Sequence, residues 1–313
     1  MSLKLERKVS VGVHVPTVAA TALPSAEAYG QFFRDCEALG FDALWFEDRI
    51  LHPVHLADPM LMLTWAAAHT RQMLLGSAVM VLNLRQAPVL ARQLVSLNHL
   101  SNSRLVLGLS VGGRPDEYAA LGITKRVAAF HENFEVLMEL MRGEPVTHSG
   151  RLYTLQDAVV RPSASPPVLM GGIVDAALAR AGRLADGWIM APFGSLDVFR
   201  HSWDTVRKAA ISAGRDAEAL VAGRLLYVQV DDHAQRAEAE LTRFLHAYYG
   251  PDYDVAEHAI YGPADHVIER LSAQIEAGIT HLMLGVPSLD SAALRRLAVD
   301  VMPALRRCSP SRL

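Results

Sequence analysis

Along nearly the whole of this 313-residue chain, short apolar runs alternate with longer segments in which apolar positions recur every three to four residues. The short runs, bounded by turn residues, read as strands, and the longer period reads as amphipathic helix. Strands are predicted at 9–15, 42–47, 73–82, 104–110, 168–170, 187–190, 225–230 and 281–284, with helices at 25–39, 59–69, 88–100, 130–141, 174–184 and 195–213. Pro88 suits a first helical turn, where its missing N–H costs nothing. Gly40 and Gly278 stand where helix C-caps belong, each directly before a strand. Eight strands alternating with helices over this length predict a (β/α)8 barrel rather than an open doubly wound sheet, and no Gly-x-Gly-x-x-Gly opens a first helix.

No low-complexity linker divides residues 1–313, so one domain is expected. Segments 112–125, 143–166 and 231–263 are longer than a barrel requires, and Val146 to Tyr153 reads as a small hairpin turning at Ser149-Gly150. Insertions on a barrel tend to decorate the C-terminal ends of its strands, which makes these candidate walls and lids of a pocket.

Composition narrows the partners. A formal net charge of −3 leaves no basic footprint for nucleic acid, and no apolar run approaches the length of a bilayer span. Cys36 and Cys308 lie in no metal-binding spacing, so no metal is expected and a reducing compartment is. The N-terminus runs straight into an alternating strand without an apolar signal segment, which makes the cytoplasm the expectation.

Candidate chemistry concentrates at strand ends. Val168 to Met170, Gly171-Gly172 and the following helix form a strand, a tight turn and a helix start, where unpaired N–H groups and the positive helix end converge on a spot suited to phosphate. Two glycines that merely close a βα loop are the alternative. The second strand ends in Glu47-Asp48-Arg49 and the first carries His14, so Asp48, Glu47 and His14 are the candidate catalytic groups. A charged rim and a structural histidine are the competing readings. Gly76, Ser77 and Ala78 are small where neighbouring strands are large, which admits a flat ring or reflects simple layer packing. Gly112, in a flexible turn after the fourth strand, is a candidate cofactor-binding residue, and Glu117 follows it either as a site residue or as the acid of a helix first turn.

In order along the chain, these patches resemble the bacterial luciferase-like flavin and deazaflavin monooxygenases and reductases. The resemblance rests on Glu37 to Trp45 with Asp48, on Thr70-Arg71 with Leu75 to Val79, on Pro88 to Ala91 with Leu100-Ser101 and Arg104 to Gly108, and on Glu117 to Gly122. Gly171-Gly172, Ala185 to Trp188 and Ala277 to Ile279 complete it. It implies a TIM barrel, usually dimeric, that holds coenzyme F420 or reduced FMN at its C-terminal mouth. Asp48 matches the aspartate beside the ring. Ala78-Val79 matches the third-strand bulge, often with a non-proline cis peptide, that supports the ring from behind, and Ser77 before it is a further cofactor-binding candidate. Gly171, Gly172 and Ile173 match the phosphate-holding turn, and Pro192 and Phe193 belong to the next loop lining the pocket. The chain departs from the family's deazaflavin hydride-transfer members at Arg49, where those commonly carry histidine. It also has Gly113 and Arg114 where some carry a catalytic acid, and its only lysines beyond the N-terminus are Lys125 and Lys208. The implied function is hydride transfer between F420 and a small organic substrate, with His14 or Glu47 handling the proton. An FMN-dependent monooxygenase using O2 is the alternative, and a non-catalytic flavin-binding or sugar-phosphate-binding barrel is the third reading.

Overall fold

The computed structural model describes residues 9–112, 114–123 and 127–310. Eight parallel strands, β1 (Ser10–His14), β2 (Ala43–Phe46), β3 (Leu74–Ser77), β4 (Leu105–Ser110), β5 (Val168–Gly171), β6 (Gly187–Met190), β7 (Val221–Val230) and β8 (His281–Gly285), pair in sequence. β8 pairs back onto β1, with Ser10 opposite His281, so the sheet closes as a (β/α)8 TIM barrel. Helices α1 (Ala26–Ala38), α2 (Pro59–His69), α3 (Ala87–Leu100), α4 (Pro115–Ala120), α5 (Val127–Met141), α6 (Asp175–Leu184), α7 (Leu196–Ser212), α8 (Ala234–Tyr249), α9 (Val255–His258) and α10 (Ala264–Glu276) surround it.

The strand alternation sorts two cores. Val11, Val13, Leu44, Phe46, Leu75, Leu107 and Leu109 point outward and pack under the helices. Ala43, Trp45, Val106, Leu169, Ile189, Leu225, Tyr227 and Met283 fill the barrel interior. Trp45 lies across that interior, and only glycine on either side leaves it room. A Cβ at Gly12 would stand 2.5 Å from the Trp45 Nε1, and one at Gly76 would stand 2.2 Å from its six-membered ring. The small residues of β3 at this level therefore accommodate the protein's own indole.

Three local differences from the predicted elements have physical causes. The expected strand 73–82 breaks after Ser77, and Met80–Val81 pairs separately with Leu109 and Ser110 of β4. β7 begins at Val221 because residues 221–224 pair with β6, and pairing with β8 starts only at Gly223. The hairpin Val146–Ser149 with Thr154–Ala158 joins α5 to β5, so it lies outside the βα connections. It braces the helices instead: Glu132 of α5 accepts the Leu152 and Tyr153 amides, and the Tyr153 hydroxyl donates to Asn133 and accepts the Ala87 amide. Segment 112–125 carries α4, and segment 231–263 carries α8, α9 and a short strand, Ala259–Gly262, that extends the β7 edge.

Candidate active site at the barrel mouth

The C-terminal end of the barrel interior is polar. His14 ends β1 and Glu47 follows β2, and both are buried. The His14 Nε2 lies 3.0 Å from the Glu47 Oε2, yet neither atom is aligned for a hydrogen bond and each lacks another partner. The other Glu47 oxygen accepts the Thr17 hydroxyl at 2.5 Å. Burial lowers the His14 pKa, with the Glu47 charge opposing, so at neutral pH the imidazole is uncharged beside its acid. The edge of the Tyr227 ring faces the His14 ring at 6.3 Å. A neutral imidazole and a fixed carboxylate with one free lone-pair position between them can take up or release a proton.

Asp48 plays a different part. Its carboxylate receives both ends of the Arg85 guanidinium and the Val81 amide, and its side chain is fully buried. Burial raises its pKa, while Arg85 and the Val81 amide pull it back. Asp48 thus pins the segment that leaves β3. Within that segment the Ala78–Val79 peptide is cis, in agreement with the expected bulge. The Ser77 hydroxyl is taken up by the Gly108 backbone, donating to its carbonyl at 2.9 Å and accepting its amide at 3.0 Å. Of the Ser77, Ala78 and Val79 set, Ser77 therefore holds strands together, while Ala78 and Val79 are half-buried and pack against the barrel-interior cluster.

That bulge meets the Gly171-Gly172 turn. A Cβ on Gly171 would come within 3.2 Å of the Val79 side chain. Gly172 has φ +142°, and a Cβ there would stand 2.6 Å from that of Ala177. Both conditions demand glycine. The Trp188 indole N–H donates to the Gly172 carbonyl at 2.7 Å, and the Asp186 carboxylate accepts the Val168 amide at 2.8 Å, so the Asp-Gly-Trp patch fixes this turn from β6. α6 then starts with no side-chain cap, and residues 172–176 are exposed. An uncapped helix start preceded by an exposed glycine backbone has the chemistry to hold an anion. Asp175 in the first turn is the one opposing charge.

Two loops and α8 build the wall. Tyr248, Tyr249 and Tyr253 gather beside Phe193, whose ring meets Tyr249 edge-on at 5.3 Å and Tyr253 at 5.5 Å. The Tyr253 hydroxyl donates to the Pro192 carbonyl at 3.2 Å, and the Tyr249 and Tyr227 hydroxyls lie 3.0 Å apart. Glu117 from α4 accepts the Ile50 and Leu51 amides at 2.6 and 2.9 Å, tying the fourth loop to the second. Gly112 packs over Val81 and next to Tyr118, and its amide donates to the Ser110 hydroxyl. Pro192 and Phe193 are part of this aromatic wall, and Ile173 is exposed just before α6. Gly113 and Lys125 lie outside the described residues; Lys208 is exposed and paired with Asp204 on α7.

Several residues at the mouth escape prediction. Arg85 lies outside every strand and helix motif and acts through Asp48. Tyr227 sits one alternation step beyond Leu225, and that period is its signal in the sequence. Thr17 and the α8 tyrosines have no local signature, since their partners are tens to hundreds of residues away.

The chain belongs to the luciferase-like monooxygenase family, whose pattern matches residues 8–281. It is 29% identical over 311 residues to an F420-dependent glucose-6-phosphate dehydrogenase of Beutenbergia cavernae, covering 86% of this chain and 90% of that protein. It is 26% identical to the same-named protein of Kineococcus radiotolerans, covering 88% and 92%. Among solved structures, an F420-dependent secondary alcohol dehydrogenase bound to an F420–acetone adduct superposes with a TM-score of 0.81 at 18% identity, over 95% of this chain and 99% of that one. The oxygenating constituent of the 3,6-diketocamphane monooxygenase from Pseudomonas putida, a type II Baeyer–Villiger enzyme in complex with FMN, superposes with a TM-score of 0.80 at 17% identity, over 97% and 100%.

Proposed function

We propose that this chain is an oxidoreductase that moves a hydride between coenzyme F420 and a small organic substrate at the barrel mouth. The observation that carries the reading is the closeness of Val79, next to the cis Ala78–Val79 peptide, to Gly171, which sets the bulge beside the glycine turn and the uncapped start of α6. A cofactor with a tricyclic ring and a phosphate fits those two features together. The F420 dependence named for full-length relatives supports that cofactor over FMN.

When bound, F420 supplies the hydride-carrying ring. The amides of residues 172–176 would hold its phosphate, Val79 would back the ring, and Asp48 with Arg85 would keep the bulge in place. His14 and Glu47 would handle the substrate proton at the His14 Nε2 and Glu47 Oε2, two buried atoms without a hydrogen-bond partner that lie 3.0 Å apart. The Tyr227, Tyr249 and Tyr253 wall would exclude water from the reacting atoms.

A homodimer is part of the proposal. Leu61 and Trp65 of α2 and Val89 of α3 are exposed apolar side chains on neighbouring helices, Leu61 at 72%. Sedimentation distinguishes dimer from monomer. Cys36 and Cys308 are both free, which suits a reducing cytoplasm.

Spectral titration with reduced F420 and reduced FMN tests the cofactor assignment. Preferential F420 binding is expected. Tight FMN binding without F420 would replace it by the oxygen-using monooxygenase reading, and binding of neither would remove the redox reading.

A further inference from the structure

Arg49 carries a charge that the described structure leaves without an anion. Its Nη1 is buried and has no hydrogen-bond partner. Its guanidinium lies over the Tyr248 ring, 5.2 Å from the centroid, and the other occupant of that ring is His52, with ring centroids 5.2 Å apart. The neighbouring acids are all engaged elsewhere. Asp48 is bound by Arg85, Glu47 by Thr17 and against His14, and Glu117 by the Ile50 and Leu51 amides. No described carboxylate lies within ion-pair distance of Arg49. Burial, followed by the charge of Arg49, lowers the His52 pKa, so a positive charge on this imidazole is disfavoured beside Arg49.

Arg49 also hydrogen-bonds the Tyr248 side chain, yet a buried N–H without an acceptor, such as its Nη1, is costly, and a guanidinium can hold a carboxylate by two parallel hydrogen bonds. The surface around it is aromatic, from Tyr248 through Tyr249 to Phe193. We infer that Arg49 is a specificity-determining residue that binds the carboxylate of the substrate, whose apolar or aromatic body lies against the tyrosine wall. This rests on the proposed oxidoreductase reading and names its substrate class.

The test uses benzoate, benzamide and glucose 6-phosphate as probes of the full-length protein, with and without F420, read by thermal shift and by tryptophan fluorescence. Benzoate is expected to bind and the isosteric benzamide to bind about tenfold more weakly or not at all. Arg49→Gln is expected to erase that preference, and Arg49→Lys to restore only part of it because the fork is lost. F420 affinity, set by the separate cradle at residues 172–176, is expected to be unchanged in both variants. Equal binding of benzoate and benzamide, no benzoate binding in either state, or undiminished benzoate binding by Arg49→Gln would overturn the assignment. Glucose 6-phosphate binding that depends on Arg49, without benzoate binding, would overturn the carboxylate in favour of a phosphate. Loss of F420 binding in wild type with the benzoate preference intact would instead count against the cofactor reading alone. Circular dichroism of both variants establishes that they are folded.

Discussion

The Arg85 guanidinium grips both oxygens of the buried Asp48 carboxylate, and the same carboxylate accepts the Val81 amide. An acid expected to face a ligand is thereby the anchor of the backbone that would carry the ligand. Removing Arg85 leaves a carboxylate whose pKa burial already raises, so Arg85→Met is expected to destabilise the protein by about 3–5 kcal/mol. Asp48→Asn in the Arg85→Met background recovers part of that loss. Urea unfolding midpoints measure both, and an unchanged midpoint for Arg85→Met would show the pair to be incidental.

Trp45 fills the barrel interior between Gly12 and Gly76. Gly76→Ala forces a methyl group into the indole and is expected to lower stability by about 1–3 kcal/mol. Trp45→Phe in the same chain relieves the clash. A Gly76→Ala protein as stable as wild type would mean the interior has slack that the packing does not show.

His281 is fully buried near the N-terminal end of the barrel interior, and burial lowers its pKa to about 4; His14 shifts in the same direction. A histidine whose folded pKa lies below its unfolded value near 6.5 leaves the unfolded state with more protons in that window. Stability is therefore complete above about pH 6.5 and declines as pH falls toward 4, by roughly 3 kcal/mol for His281. Thermal midpoints across that range are expected to drop steeply, and His281→Gln to flatten the profile. A profile unaltered by His281→Gln would assign the acid sensitivity to other groups.

Substitution at the helix start separates charge from backbone. Gly172→Asp combines a positive φ with a clash against Ala177, so its effect mixes strain with repulsion. Ile173 is 55% exposed and carries neither burden. Ile173→Asp is expected to leave the thermal midpoint within a degree or two, since exposed substitutions change little. It is also expected to weaken binding of inorganic phosphate or of a phosphate-bearing cofactor about tenfold. Unchanged binding would place the anion elsewhere.

The barrel was legible because hydrophobic period and turn residues are local. Strand 187–190 and helix 59–69 fall where the pattern places them, and Gly40 and Gly278 close helices as expected. The Gly171-Gly172 turn was legible for the same reason. The roles of neighbouring side chains were not, because they depend on partners brought together by closure. Asp48 could not announce Arg85, 37 residues on, as its partner. Glu117 offered the choice of site residue or helix-turn acid, and its binding of the Ile50 and Leu51 amides is a third role that only the packing of two loops reveals. Gly76 signalled room for a flat ring, and the ring it admits is Trp45.

Titration of the wild-type protein and Ile173→Asp with reduced F420, each against reduced FMN, tests the central claim most directly. The account predicts saturable F420 binding by wild type, weaker binding of FMN, and loss of F420 affinity in Ile173→Asp with the fold intact. F420 affinity equal in the two proteins, or binding of FMN with none of F420, would contradict it.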